Sequence, residues 1–181
     1  MTLHHPLDFL PPNLRRPLFF LFLGLTAACF AVFQVLDQPL RTSAAPYGTV
    51  SFELAGSVEK AGAMLDSWDA GARLNSAFGL GFDFLFMPVY ATALSLGILL
   101  AVDRRRGVWS TLGKALGWGA FAATVFDAVE NTALFSILQG NIVAPYPQVA
   151  AGCATVKFVL IFLGLFYGLT GWLWPEKHHT R

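Results

Sequence analysis

Three carboxylates, Asp83, Asp127 and Glu130, lie inside stretches otherwise apolar enough to cross a bilayer, and a fourth such stretch carries Lys157. Ionisable groups in hydrocarbon are costly, and proteins keep them there to pair with one another, to bind a ligand or to relay protons. A Lys–carboxylate pair can fix helix register. A surplus of acid can hold a cation or a proton, and a protonated carboxyl beside an ionised one is an acid–base couple. Three acids against one base leave a net charge of about −2, which a low-dielectric site tolerates poorly. At least one carboxyl is therefore expected to be protonated or compensated by a ligand. The expected pairing is Lys157 with Asp127 or Glu130, leaving Asp83 hydrated.

Four apolar runs must position these groups. They extend from Pro17 to about Leu36, from about Ala77 to Val102 with Pro88 inside, from about Leu112 to Leu138, and from about Gln148 to Leu173, where Pro175 stops the last. Each is long enough to span about 30 Å as helix. The predicted fold is an all-α integral membrane four-helix bundle, a single transmembrane domain over 1–181, with an ordered extracytoplasmic segment over 37–76. Arg15 and Arg16 followed by an apolar run through Thr26-Ala27-Ala28-Cys29 look like a cleaved lipoprotein signal. That run continues seven residues past Cys29 and reads as a retained helix. Lys and Arg number eight on the side of the termini and the 103–114 connection, and three (Arg41, Lys60, Arg73) on the other. The positive-inside rule then makes both termini cytoplasmic. Trp109, Trp118, Trp172 and Trp174 fall near the inner interface, and Tyr47, Trp68 and Tyr146 near the outer one.

Counting helical rise from the outward ends puts Asp83 about 9 Å deep, Glu130 about 12 Å, Lys157 about 15 Å and Asp127 about 16 Å. One outer layer about 7 Å thick holds all four by that rise. On the third helix Thr124, Asp127, Glu130 and Asn131 share a face, since positions three and four apart project together. Tyr90 follows Asp83 by seven residues on the same side of its helix, and Cys153 shares the side of Lys157. Gly113 with Gly117, and Gly164 with Gly168, are spaced to let helices approach closely.

In the connecting segment, Val50-Ser51-Phe52-Glu53-Leu54 alternates apolar and polar residues and predicts a short extended piece. Ser57 can cap a helix in which Val58, Ala61, Leu65 and Trp68 recur on one face opposite Glu59 and Asp66. Asp69 is placed to cap the stretch leading into the second span. Such a helix packs on the outer rim or, with Phe52, Glu53 and Trp68, forms a lid over the polar layer.

Composition excludes much. Of 181 residues 55% are apolar and 13% charged, and the net charge is +1, so no basic surface serves nucleic acid. Cys29 and Cys153 sit in apolar runs, against a disulfide or thiolate metal centre. His4, His5, His178 and His179 are all terminal, so none serves a metal or a nucleophile in the polar layer, and no cofactor or metal site is expected. No GxSxG, HExxH, P-loop or dinucleotide motif occurs.

The strings Phe52-Glu53-Leu54-Ala55-Gly56-Ser57-Val58-Glu59-Lys60-Ala61, Ser67-Trp68, Asp83-Phe84-Leu85-Phe86, Asp127-Ala128-Val129-Glu130-Asn131 and Lys157-Phe158 resemble a group of uncharacterised bacterial four-helix membrane proteins. The resemblance implies a bacterial inner-membrane location and no activity. In layout the chain is also similar to the EXPERA group of emopamil-binding isomerases and sigma-2 receptors, whose acidic intramembrane pocket binds sterols or cationic amphiphiles. Asp37, and Asp83 with Pro88, stand where that pocket's acidic pair would be sought.

The functional expectation is an outward-facing intramembrane acidic pocket that binds a small or amphiphilic ligand, with a cationic one favoured by charge, and with proton linkage. Asp83, Asp127, Glu130, Asn131, Lys157 and Tyr90 line it. The alternatives are a buried network that only fixes helix packing, in a structural or subunit protein, and an EXPERA-like lipid isomerase using carboxylate acid–base chemistry. Membrane lipids are expected partners. A transport role would call for a homodimer or a partner subunit, because four helices are few for a transporter.

Overall fold

The computed structural model describes residues 3–173. Pro175, Trp174, Lys177, His178, His179 and Arg181 lie outside the described residues, as does the side chain of Trp172. Among the described residues there are six α-helices and one 3-10 turn: α1 (Pro12–Asp37), the turn Gln38–Leu40, α2 (Thr49–Glu53), α3 (Val58–Ser67), α4 (Ala70–Val102), α5 (Gly107–Leu138) and α6 (Tyr146–Leu173). No strand occurs among the described residues. Four helices are long and apolar enough to cross a membrane. They define an integral membrane protein, and the side chains of α1 agree. None of that helix's residues is buried, and Phe20, Leu21, Phe30 and Val35 are exposed. That arrangement suits lipid tails better than water.

The spans end where expected and begin earlier. α1 starts at Pro12 rather than Pro17, because Pro12 suits a first helical position. Pro17 lies inside the helix, where its ring removes only one bond near the start. α4 begins at Ala70, seven residues before the predicted Ala77, because Asp69 caps it: Asp69 Oδ1 accepts from Ala72 N at 2.7 Å.

The chain divides into two compact units. The first comprises Met1–Thr26, Pro88–Thr124 and Phe158–Arg181; the second comprises Ala27–Met87 and Val125–Lys157.

In the first unit small residues set the helix contacts. A Cβ on Gly113 would collide with Tyr167 and Val102, and one on Gly171 with Ala101. Gly164 faces Leu94 and Ile98, and Gly168 lies against the backbone of Gly97. Both expected glycine pairs therefore mark tight packing, although Gly117 is covered by His5 rather than by a helix. His5 is 2% exposed. Its amide donates to Asp8 at 2.8 Å, and its Nδ1 accepts from Leu7 N at 3.2 Å. Arg15 holds Asp103 at 2.7 and 2.9 Å, and Trp118 donates to the carbonyl of His4. The amino-terminal residues are thus a docked element, which terminal position alone did not foretell.

The second unit carries the connecting segment on a continuous apolar core. Leu40, Phe52, Ala61, Leu65 and Trp68 pack with Leu80 of α4, Leu134 and Ile137 of α5 and Ala150 of α6. Of residues 50–54, expected to be extended, 50–53 lie in helix α2 and Leu54 follows as its C-cap. Alternation over five residues does not settle the period, and here one side chain decides it. Phe52 is buried at 1% exposure while Val50 and Leu54 stay exposed, so the apolar residues do not share a strand face. Asp37 holds the entry to α2: its Oδ1 accepts from Thr49 N at 2.7 Å and its Oδ2 from Arg41 Nε at 2.9 Å. Gly48 has φ +54°, and a side chain there would strike the Asp37 carboxylate. α3 follows the expected plan, with Ser57 Oγ accepting from Lys60 N at 3.3 Å. Ala61, Met64 and Leu65 are buried, and Glu59 is exposed. Trp68, expected at an interface, is 3% exposed. Its indole donates to Leu40 O at 2.9 Å, and its ring meets Phe52 edge-on with centroids 5.1 Å apart.

Candidate functional site: a buried carboxylate cluster around Lys157

On α5 the apolar face and the acidic face coincide. Asp127, Glu130 and Asn131 follow one another at helical spacing, and all three are buried with Ala123 and Leu134, while Val125 and Val129 are exposed. Such burial of charge over hydrophobic surface requires a partner, and α6 supplies it. Lys157 Nζ lies 3.0 Å from Asp127 Oδ1 and 2.9 Å from Glu130 Oε2, with Glu130 Oε1 at 3.0 Å. The Lys157, Asp127 and Glu130 side chains are 6%, 3% and 0% exposed. Both alternatives for the Lys157 partner are therefore realised together.

A fourth acid comes from outside the spans. Glu53, at the end of α2, places Oε1 3.6 Å from Lys157 Nζ, with its side chain only 12% exposed. Its carboxyl lies within hydrogen-bonding reach of Glu130. Burial pushes the Glu53 carboxyl above the usual range; Lys157 opposes that shift and Asp127 adds to it. The sequence reading places Glu53 in a lid with Phe52 and Trp68. The structure makes Phe52 and Trp68 core anchors and brings Glu53 into the charge cluster. Helical-rise counting had no way to place it, since it stands on a connecting segment. The signal available was an acid directly after a large aromatic residue, where the aromatic anchor drags its neighbour inward.

Asp83 joins through Asn131. Asn131 Nδ2 donates to Asp83 Oδ2 at 2.7 Å and to the carbonyl of Leu80 at 3.3 Å, tying α5 to α4. Asp83 and Asp127 are close enough to act on each other electrostatically. The cluster thus holds four carboxyl groups, Glu53, Asp83, Asp127 and Glu130, to one ammonium. Buried Glu53 Oε2 accepts no hydrogen bond, and Glu130 Oε2 is met by the Lys157 ammonium.

Thr124 turns its hydroxyl back to the carbonyl of Phe121 at 2.7 Å. Tyr90 belongs to the first unit, where it is buried. Asp37 is occupied by Thr49 and Arg41. Cys29 and Cys153 are free thiols. Among the described residues no group of three or more His, Cys, Asp or Glu is arranged to hold a metal ion.

The molecule is thus an integral membrane protein with an acid-rich charge cluster buried among its helices. No protein-family model, curated protein or solved structure matches the chain.

Proposed function

We propose that this protein binds a small or amphiphilic cationic ligand at the Lys157 cluster, in exchange for protons, from the outer side of a bacterial inner membrane. The observation that carries this reading is the imbalance of charge. Three acids lie within 3.6 Å of one buried base and a fourth, Asp83, joins them through Asn131, and a positive charge entering there gains far more than it would at a hydrated surface. A register-fixing ion pair needs one acid; the other three are unexplained unless they meet a cation or hold protons. The Lys and Arg count puts both termini in the cytoplasm and the 37–76 segment outside. Residues 49–68 then cover the route from the outer surface, with Phe52 and Trp68 as the anchors of that cover.

A second reading rests on the closure itself. Side chains between 0% and 6% exposed, with Nζ held at 2.9–3.0 Å, are also what a network that only locks α5 to α6 would show. Native mass spectrometry of the gently solubilised protein separates the two. The proposal expects a discrete bound mass in wild type that is lost from folded Glu130→Gln and Asp83→Asn. Bulk lipid alone in all three proteins would reject ligand binding and leave the structural network.

A further inference from the structure

We propose that one proton is shared between the carboxyl groups of Glu53 and Glu130, and that this proton is the charge released when a cation enters the cluster. Glu53 Oε2 is buried and accepts no hydrogen bond, a condition native proteins rarely tolerate, while Glu130 Oε2 has the Lys157 ammonium at 2.9 Å. Their carboxyl groups are within hydrogen-bonding reach of each other. Ionised carboxylates are acceptors only, so two of them side by side leave the Glu53 oxygen unsatisfied and repel. A single proton makes one a donor and the other its acceptor. That one atom gives the Glu53 carboxyl a partner, relieves the repulsion and removes a negative charge from a site that holds too many.

The location follows from distance. Lys157 Nζ is 3.0 Å from Asp127 and 2.9 Å from Glu130 but 3.6 Å from Glu53, so Glu53 is the carboxyl that the ammonium compensates least. The groups facing the pair are Asp127 on α5 and Lys157 on α6, with Cys153 one turn before Lys157 and Asp83 on α4 reached through Asn131. Among them only Lys157 brings positive charge. Burial of Glu53 acts in the same direction, favouring its neutral form.

The exchange is balanced. An ammonium-type cation arrives with one positive charge, the carboxyl O–H bond breaks, the proton leaves to water, and the cation takes its place between two carboxylates. Net charge in the cluster is the same before and after, so the low-dielectric site pays no added electrostatic penalty. This exchange rests on the ligand reading above, whereas the shared proton does not.

Infrared spectroscopy of the full chain in lipid nanodiscs at neutral pH tests the proton directly. A protonated carboxylic acid has a C=O stretch separate from that of carboxylates. The expected result is such a band in wild type that shifts on [13C]glutamate labelling, is lost in Glu53→Gln and in Glu130→Gln, and persists in Asp83→Asn. No band in wild type, a band indifferent to glutamate labelling, or one retained in both Gln variants would overturn the proposal. The isotope readout uses wild type and does not depend on how the variants fold. A glutamate band in a protein whose native mass spectrum shows no bound ligand would keep the proton and overturn the exchange.

Discussion

Replacing Lys157 by Met should be among the most damaging single changes available to this protein, because it removes the only positive charge from a site with four carboxyl groups. The ammonium is bound at 2.9–3.0 Å by Glu130 and Asp127 with 3.6 Å to Glu53. Without it, a buried carboxylate must either stay unpaired or take up a proton, and groups so placed neutralise. Protonating a carboxyl of ordinary acidity at pH 7 costs about 4 kcal/mol, from roughly three pH units at about 1.4 kcal/mol each. Breaking a buried ion pair from one side costs a similar amount, about 3–5 kcal/mol. The same reasoning makes the loss shrink by about 1.4 kcal/mol for each unit of acidification. It also predicts that Lys157→Met combined with Asp127→Asn and Glu130→Gln recovers most of the loss, since the two carboxylates nearest the ammonium are removed with it. The assay is equilibrium unfolding in mixed micelles at pH 7 and pH 5, followed by tryptophan fluorescence. A Lys157→Met protein within about 1 kcal/mol of wild type at pH 7, or a triple variant no more stable than the single one, would refute the reasoning.

Other outcomes are equally specific. The folded-state pKa of Glu53 is raised by burial, so the folded protein binds the proton more tightly than the unfolded chain. Stability is then highest below about pH 4.5 for this group and falls as pH climbs through the raised value; Glu53→Gln should flatten that slope in a pH series of unfolding curves. His5 behaves in the opposite sense, since burial lowers its pKa from 6.5 to about 4 against the pull of Asp8 and Asp103. Its docking should weaken as pH falls from 6.5 to 4 by about 3 kcal/mol at most, read as hydrogen exchange of residues 5–10, and unchanged protection at pH 4 would contradict it. Gly113→Ala, meeting Tyr167 and Val102, should cost about 1–3 kcal/mol. Gly24→Ala has nothing within 4 Å of the new Cβ and should be neutral or stabilise by up to about 1 kcal/mol, so equal midpoints for the two variants would sink the packing argument.

Hydropathy and helical period alone determined that this chain has four membrane-length helices, where they end, and that Asp127, Glu130 and Asn131 share a face pointing away from lipid. Those are local properties: a span must bury its backbone polar groups in its own hydrogen bonds, and charges on it must turn inward. Rise along each helix also put Asp83, Asp127, Glu130 and Lys157 near one level, which their contacts in the second unit bear out. Tertiary structure decided what no window of sequence contains. Whether Lys157 meets Asp127, Glu130 or both depends on how α5 and α6 rotate against each other. The strand-like alternation around Phe52 gave way to α2 because Asp37 caps Thr49 and the Phe52 ring fills a core built from helices far along the chain. Glu53 came into the acid cluster by that same packing, and His5 was buried because Gly117 leaves room for an imidazole. Contacts between residues distant in the chain are set by complementary shape and charge across elements, and that is why the fourth carboxylate, on which the proposed proton depends, was visible only in the folded molecule.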